Sequence, residues 1–235
     1  YDEDQQKSVG VRVIDAQTKE QTDYFAKVVF VTAATLNTNL ILLNSKSKRF
    51  PNGLGNDNGL MGKYIAFHNY RATINAQYEG FPNLTTEGAK PTSHYVPRFR
   101  NVYRQETDFL RGYAAGFGAS RQRLTQREGY GDSLKEQLLQ TKESGIWNVN
   151  SHMMGETLPK AFNQVHLDPE IVDQWGIPQL NIDVDYDDND EKMIQDFFEQ
   201  FSEMYTKAGF VNIVTRDNKR RPGNDIHEMG GVRMG

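Results

Sequence analysis

The sequence predicts an α+β fold: a mainly antiparallel β-sheet with flanking helices, together with a βα unit near the N-terminus. Three observations predict it. Six short segments between residues 68 and 184 alternate with period 2, a long amphipathic helical pattern follows residue 188, and an apolar β-branched run leads directly into a leucine-rich helical pattern. Successive short strands separated by turns are typical of antiparallel sheets.

The N-terminal residues predict a hairpin, a buried strand and a helix, in that order. Residues 9–14 alternate in polarity, residues 15–21 are rich in turn formers, and residues 24–31 are apolar and β-branched. Residues 35–45 place leucines and an isoleucine at helical spacing. Glycines and asparagines dominate residues 50–62, which predicts a loop.

The remaining elements are the strands of the sheet and two helices. The predicted strands are residues 68–78, 95–99, 112–119, 147–153, 164–167 and 179–184. A helix over residues 133–143 interrupts them. A second helix is capped by Asp188 or Asn189 and stops at Gly209. Its apolar positions recur every three or four residues and predict a core face: Met193, Ile194, Phe197, Phe198, Phe201, Met204, Tyr205 and Ala208.

Composition excludes several classes of function. The 235 residues carry 27 basic and 31 acidic side chains, a net charge of -4, so the chain has no electrostatic footprint for nucleic acid. The basic residues 219–221 predict a solvated loop. The longest apolar run, residues 26–34, is too short for a membrane span. Cysteine is absent, which excludes disulfides and thiolate metal sites and fits a cytoplasmic or a periplasmic protein equally.

The last thirteen residues combine glycines with a histidine. Residues 223–235 hold Gly223, Gly230, Gly231 and Gly235 around His227, a stretch too irregular for a helix or an ordinary strand. Glycine lets the backbone approach a flat group closely or take positive φ, and imidazole exchanges a proton near neutral pH. These are ingredients of an active-site turn, although a lone histidine in such a turn is more often structural.

A family resemblance favours the catalytic interpretation. Residues 227–235, His-Glu-Met-Gly-Gly-Val-Arg-Met-Gly, are similar to the His-x-x-Gly-[Thr/Gly]-x-Arg-Met-Gly segment of glucose-methanol-choline (GMC) oxidoreductases, especially the pyranose-oxidase-like and bacterial sugar-dehydrogenase branches. Residues 27–45 resemble the family's late flavin-domain strand, turn and helix, with Ala33-Ala34 where Ala-Gly is usual. Residues 59–68 and 163–190 resemble two further passages, with Phe67 replacing a common Asp.

The resemblance implies a domain plan and a reaction. Residues 1–66 would be part of a Rossmann-like FAD-binding domain, 67–222 the substrate-binding domain, and 223–235 a return segment that carries the catalytic histidine. His227 would accept a hydroxyl proton while hydride passes to flavin N5, which oxidises a CH–OH group of a sugar, polyol or sugar acid. The cofactor-binding residues would be Ala33, Ala34, His68, Gly230 and Gly231. No metal is expected, because His94, His152 and His166 lack metal-ligand spacing.

The sequence is expected to be a fragment of a longer protein. It begins without an initiator Met, and it lacks the Gly-x-Gly-x-x-Gly that would hold FAD pyrophosphate. The family's second catalytic His or Asn would follow Gly235. This chain alone is therefore expected to hold FAD weakly or not at all. The substrate hydroxyl, the electron acceptor and any homo-oligomer are not identified by the sequence.

Two other functions stay open at this point. One is a catalytically inactive carbohydrate-binding or assembly module with the same sheet, which the missing glycine fingerprint favours. The other is a hydrolase that uses a carboxylate pair, Asp168 with Asp173 or Asp185 with Asp187. These carboxylates border predicted turns and a helix cap, where Asp is expected for local hydrogen bonding. A flavin absorption spectrum distinguishes the oxidoreductase from the hydrolase.

Overall fold

The computed structural model of the protein describes residues 1–84, 94–121, 129–140, 146–224 and 226–233. Within these ranges the helices are α1 (Ala34–Asn44), α2 (Asp132–Gln140) and α3 (Asp188–Lys207). The strands are β1 (Gly10–Ile14), β2 (Gln21–Phe25), β3 (His68–Asn69), β4 (Ala72–Tyr78), β5 (His94–Val96), β6 (Tyr113–Arg121), β7 (Trp147–Glu156), β8 (Gln164–Val172), β9 (Pro178–Asp183) and β10 (Val211–Asp217).

The described strands pair antiparallel, which confirms a mixed helical and antiparallel-sheet fold. A six-stranded sheet has the order β10-β4-β7-β6-β5, with β3 also paired to β7, and the pairs β1-β2 and β8-β9 form two separate ribbons. The chain divides into two compact units. Unit 1 comprises Tyr1–Phe67, Leu158–Asp185 and Asp225–Gly235, and unit 2 comprises His68–Thr157 and Tyr186–Asn224.

Unit 2 is built by packing α3 on one face of the six-stranded sheet. The Asp187 side chain caps the helix by accepting from the backbone N–H groups of Asn189 and Asp190. In turn, the Asp190 side chain accepts from the backbone N–H of Asp187. The buried stripe repeats at helical spacing: Met193, Ile194, Phe197, Phe201 and Tyr205. It covers β4, β6 and β7 through buried residues that include Ile74, Tyr113, Val149 and Met153. The amphipathic pattern after residue 188 is thus confirmed as a core face at these five positions. Of the other predicted core residues, Phe198 is half-buried, and Met204 and Ala208 are exposed, because they lie at the edge of the stripe that faces the sheet.

A charged cluster ties α3 to the edge strand β10 in unit 2. The buried guanidinium of Arg71 binds Asp217 on β10 and Glu191 in the first turn of α3. Burial alone would raise the pKa of Asp217, but hydrogen bonds from Arg71 and Lys219 outweigh it and lower this pKa to about 2. The cluster therefore depends on an ionised carboxylate.

Unit 1 contains the β1-β2 hairpin, α1 and the β8-β9 ribbon. Its buried apolar residues are few among those described: Leu43, Ile65, Ala66, Phe67 and Val165. Two hydrogen bonds join the residues just before β8 and just after β9. The Asn163 side chain donates to Asp185 O and accepts from Asp185 N–H. No parallel sheet occurs among the described residues of this unit, so a Rossmann-like FAD domain stays a prediction.

Several predicted boundaries differ from the structure. The buried strand predicted over residues 24–31 is wrong: β2 ends at Phe25, and Val28 and Phe30 are 64% and 84% exposed, because no described strand pairs with them. The cap of α3 is Asp187 rather than Asp188 or Asn189. Strand β10 was not predicted, although a β-branched run follows Gly209. The predicted helix over 133–143 is described to residue 140 only.

The compact units also differ in extent from the predicted domains. The prediction placed 67–222 in one substrate-binding domain, whereas residues 158–185 group with unit 1. The physical reason is the β8-β9 ribbon, which pairs with itself and hydrogen-bonds to residues 62–65 instead of joining the six-stranded sheet. Which unit binds a cofactor and which a substrate stays a prediction.

Candidate functional site

In unit 1, the turn that carries His227 is anchored along residues 62–66. Four backbone hydrogen bonds join the two segments: Ala66 N–H to Met229 O and Met229 N–H to Ala66 O, both 2.9 Å, Gly62 N–H to Gly231 O at 2.7 Å, and Gly231 N–H to Lys63 O at 3.0 Å. On its other side the same segment bonds to the β8 region, through Ile65 N–H to Asn163 O and Val165 N–H to Gly62 O. Residues 62–66 therefore lie between the His227 turn on one side and residues 163–165 on the other, and most of this middle segment is buried.

Helix α1 contacts the same turn. The hydroxyl of Thr35 donates to Glu228 O at 2.6 Å, one residue after His227. One turn further along α1, the fully buried side chain of Asn39 donates to Thr35 O at 2.9 Å and lies against Gly231. These contacts join residues almost two hundred positions apart in sequence and fix the backbone of the turn from a second direction.

Three of the ten described non-glycine residues with a left-handed backbone conformation lie in these segments. Ala34 at the start of α1, Tyr64 and His227 have φ of +58°, +62° and +67°, which is uncommon for residues that carry a Cβ. Residue types other than glycine accept such strain, of order 1–3 kcal/mol, where the surroundings hold them, often at functional sites. Gly230 and Gly231 continue the pattern at +97° and +76°.

His227 itself is exposed, as are its neighbours Ile226 and Met229 at 51% and 58%. Histidine is among the residues enriched in the left-handed region. The guanidinium of Arg233 lies 4.9 Å from the centre of the Tyr64 ring, which ties the end of the turn to its neighbour. The arrangement presents an imidazole on an exposed turn whose backbone is held on both sides.

Internal packing explains why positions 230 and 231 are glycines. A Cβ at position 230 would overlap the carbonyl of Tyr64, and a Cβ at position 231 would overlap the Asn39 carboxamide. Each glycine is thus required by internal packing, whatever else approaches it. Their contact with a cofactor stays a prediction.

Ala33 and Ala34 form the N-terminal end of α1. Ala33 provides no side-chain cap, and the first turn of α1 carries no acidic residue. The first N–H groups of a helix lack intrahelical partners and favour negative charge. This end of α1 is therefore compatible with an anionic group, and the Thr35 bond to Glu228 O places it beside the His227 turn.

The sixth predicted site residue, His68, belongs to unit 2. It is half-buried in β3, paired with Glu156 of β7, and its Nδ1 lies 3.2 Å from Gly155 O. The other five, Ala33, Ala34, His227, Gly230 and Gly231, all lie in unit 1. Sequence patterns missed Thr35 and Asn39, because α1 carries several other polar residues and nothing in the sequence sets these two apart.

The carboxylate pairs have local structural roles. Asp168 accepts from the backbone N–H groups of Glu170 and Ile171, which lower its pKa, and Asp173 accepts from those of Trp175 and Ile177. Asp187 caps α3. Turn and cap hydrogen bonds are what Asp commonly makes in such positions, so the structure adds no support to the hydrolase.

Other features of the described residues lie apart from this site. A cleft in unit 1 between the hairpin, the second half of α1 and Trp175 is not lined by any of the predicted site residues. Across the described ranges, no group of three or more His, Cys, Asp or Glu residues is arranged to hold a metal ion. None of the described helices has the length and apolar character needed to span a membrane.

Comparison with known proteins finds a similarity to a dehydrogenase. No family model matches the chain. The chain is 29% identical over 248 aligned residues to the 2-methyl-1,2-propanediol dehydrogenase of Mycolicibacterium austroafricanum. The match covers 97% of this chain but only 42% of that enzyme. The protein is therefore similar, over nearly all of its length, to less than half of a dehydrogenase.

Proposed function

We propose that this chain is part of a flavin-dependent oxidoreductase of the GMC type that oxidises a CH–OH group, with His227 as the base. The observation that carries the proposal is the exposed His227 on a turn whose backbone is held by residues 62–66 and by Thr35. The segment resemblance at 227–235 supports it. So does the relative, a dehydrogenase that by its name acts on a diol.

The chemistry divides between the protein and FAD. FAD, when bound, supplies the acceptor for the hydride that leaves the alcohol carbon. His227 takes the proton of the hydroxyl group, so that one C–H bond and one O–H bond break as the C=O bond forms. An imidazole is suited to this role, because it can both accept and release a proton near neutral pH.

The chain offers part of a cofactor site. The end of α1 at Ala33 and Ala34 has no side-chain cap and no acidic residue, and it would contact FAD beside the His227 turn. Gly230 and Gly231 would expose backbone along the same turn. His68 is the cofactor contact proposed for unit 2. A sugar, polyol or sugar acid is the substrate class that the resemblance supports.

The test is a measurement of flavin reduction in the protein purified from the intact gene with FAD bound. His227→Ala should slow bleaching of the flavin by substrate by roughly 10²–10⁴, the usual contribution of a positioned base, with flavin content unchanged. His94→Ala, which removes an exposed histidine from the edge strand β5, is the matched control and should keep the rate. A His227→Ala protein whose bound flavin is reduced at the normal rate would refute the assignment of the base.

A further inference from the structure

The peptide unit between Glu228 and Met229 comes directly after His227 and is hydrogen-bonded through both of its polar groups. Its C=O accepts from the Thr35 hydroxyl at 2.6 Å, and its N–H donates to Ala66 O at 2.9 Å. All of these residues belong to unit 1. The C=O and N–H of a trans peptide point in opposite directions. Helix α1 and the segment before β3 therefore hold this peptide unit from opposite sides.

The two hydrogen bonds differ in what they depend on. The bond between Met229 and Ala66 is one of a reciprocal backbone pair, which forms whatever side chains the two residues carry. The bond to Glu228 O depends on a single hydroxyl, that of the half-buried Thr35 in the first turn of α1. Valine has nearly the same shape as threonine and no hydroxyl, so one substitution removes this bond and leaves the reciprocal pair in place.

The position of this peptide unit affects the orientation of the imidazole. His227 has φ +67°, a conformation that a residue with a Cβ keeps only where its surroundings hold it. The bond to Glu228 O holds the residue next to it. A general base must lie within hydrogen-bond reach of the proton that it removes, and a misplacement of about 1 Å can slow a reaction about 10²-fold. A hydroxyl that fixes the turn therefore affects the chemistry without contact with the substrate.

We propose that Thr35 is a positioning residue for His227. Its hydroxyl fixes the peptide unit that follows the histidine, and the imidazole is thereby held in the orientation from which it removes the proton. Thr35 acts through His227 and does not contact the reacting atoms. The effect on the rate rests on the proposed function, whereas the effect on the turn rests on the hydrogen bond to Glu228 O alone.

The first test is hydrogen exchange over residues 226–233, measured by mass spectrometry in the protein purified from the intact gene. Exchange should be about two- to tenfold faster in Thr35→Val, the value of one hydrogen bond, and close to normal in Thr35→Ser, which keeps the hydroxyl. The matched control is Thr38→Val, the same change at another half-buried threonine of α1. Exchange over residues 226–233 should be unchanged in this control.

The second test is the rate of flavin reduction per bound flavin at saturating substrate. Thr35→Val should lower this rate about tenfold, between the value of one hydrogen bond and that of a misplacement of about 1 Å, with KM and flavin content close to normal. Thr35→Ser should restore the rate, and Thr38→Val should not lower it. In a His227→Ala background, Thr35→Val should have little further effect, because the group that it positions is gone.

Each result supports or overturns the positioning role. Unchanged exchange in Thr35→Val, or an equal change in Thr38→Val, shows that the hydroxyl does not hold the turn. Faster exchange with a normal rate per bound flavin shows that the bond is structural only. An equal slowing by Thr35→Val with and without His227 shows that Thr35 acts elsewhere. Normal flavin reduction in His227→Ala refutes the proposed base and the positioning role together, whereas slow reduction in His227→Ala with a normal rate in Thr35→Val refutes the positioning role alone.

Discussion

Gly231→Ala tests whether Asn39 sets the backbone of the His227 turn. The substitution places a Cβ at φ +76°, which costs about 1–2 kcal/mol for an L-residue. The same Cβ overlaps the Asn39 carboxamide, which is fully buried in α1 and has no open space to move into. Overpacking of this kind costs about 1–3 kcal/mol. The free energy of unfolding of unit 1 should therefore fall by about 2–5 kcal/mol.

Gly176→Ala is the matched control. Gly176 has φ +83°, belongs to the same unit, and has no atom within 4 Å of a Cβ built there, so it shares the conformational cost without the overlap. Urea unfolding followed by Trp175 fluorescence reports unit 1 once Trp147 in unit 2 is replaced by Phe. Asn39→Ala in the Gly231→Ala background should recover about 1–3 kcal/mol. Equal losses for the two glycines, or no recovery, would refute the role of Asn39.

Two further predictions concern the stability of unit 2. Because the folded pKa of Asp217 is lowered from 3.8 to about 2, its contribution of about 2 kcal/mol is fully present above pH 3.8 and is lost as the pH falls toward 2. Asp217→Asn should flatten the acid limb of the unfolding free energy between pH 5 and 2, and an unchanged limb would contradict this. Phe197 is fully buried, so Phe197→Ala should lower the free energy of unfolding by about 3–5 kcal/mol in urea. Phe198 is half-buried, so Phe198→Ala should lower it by less than half as much. Equal losses would show that Phe197 does not face the core more than Phe198 does.

Local periodicity was sufficient to predict most elements of the fold. Helices α1 and α3 and the antiparallel pairing follow from spacing and turn chemistry, because these depend on neighbours a few positions apart. The partner of each strand does not. Residues 24–31 have the composition of a buried strand, yet only residues 21–25 find a partner, in β1, and the rest stays exposed. The grouping of the β8-β9 ribbon with unit 1 likewise depends on bonds to residues 62–65, a hundred positions away.

The candidate site also depends on contacts between distant segments, which local sequence patterns do not predict. A glycine-rich turn with a histidine is visible in the sequence, and so is its resemblance to a catalytic segment. The hydroxyl of Thr35 and the carboxamide of Asn39 are not, because their role depends on a contact with residues 228 and 231 that only the tertiary structure makes. In the sequence alone both look like ordinary polar positions of a helix.

Gly230 and Gly231 show why a motif and its physical cause must be separated. In the family resemblance, the missing side chains let a flat cofactor approach the backbone. In the structure, the space where each Cβ would stand is already occupied by Tyr64 and Asn39. The two causes predict different effects of substitution. If only internal packing matters, Asn39→Ala should restore both stability and flavin content to Gly231→Ala. If a cofactor also approaches the turn, stability should return in large part while flavin content stays low, because alanine at φ +76° would still strain the backbone that the cofactor contacts.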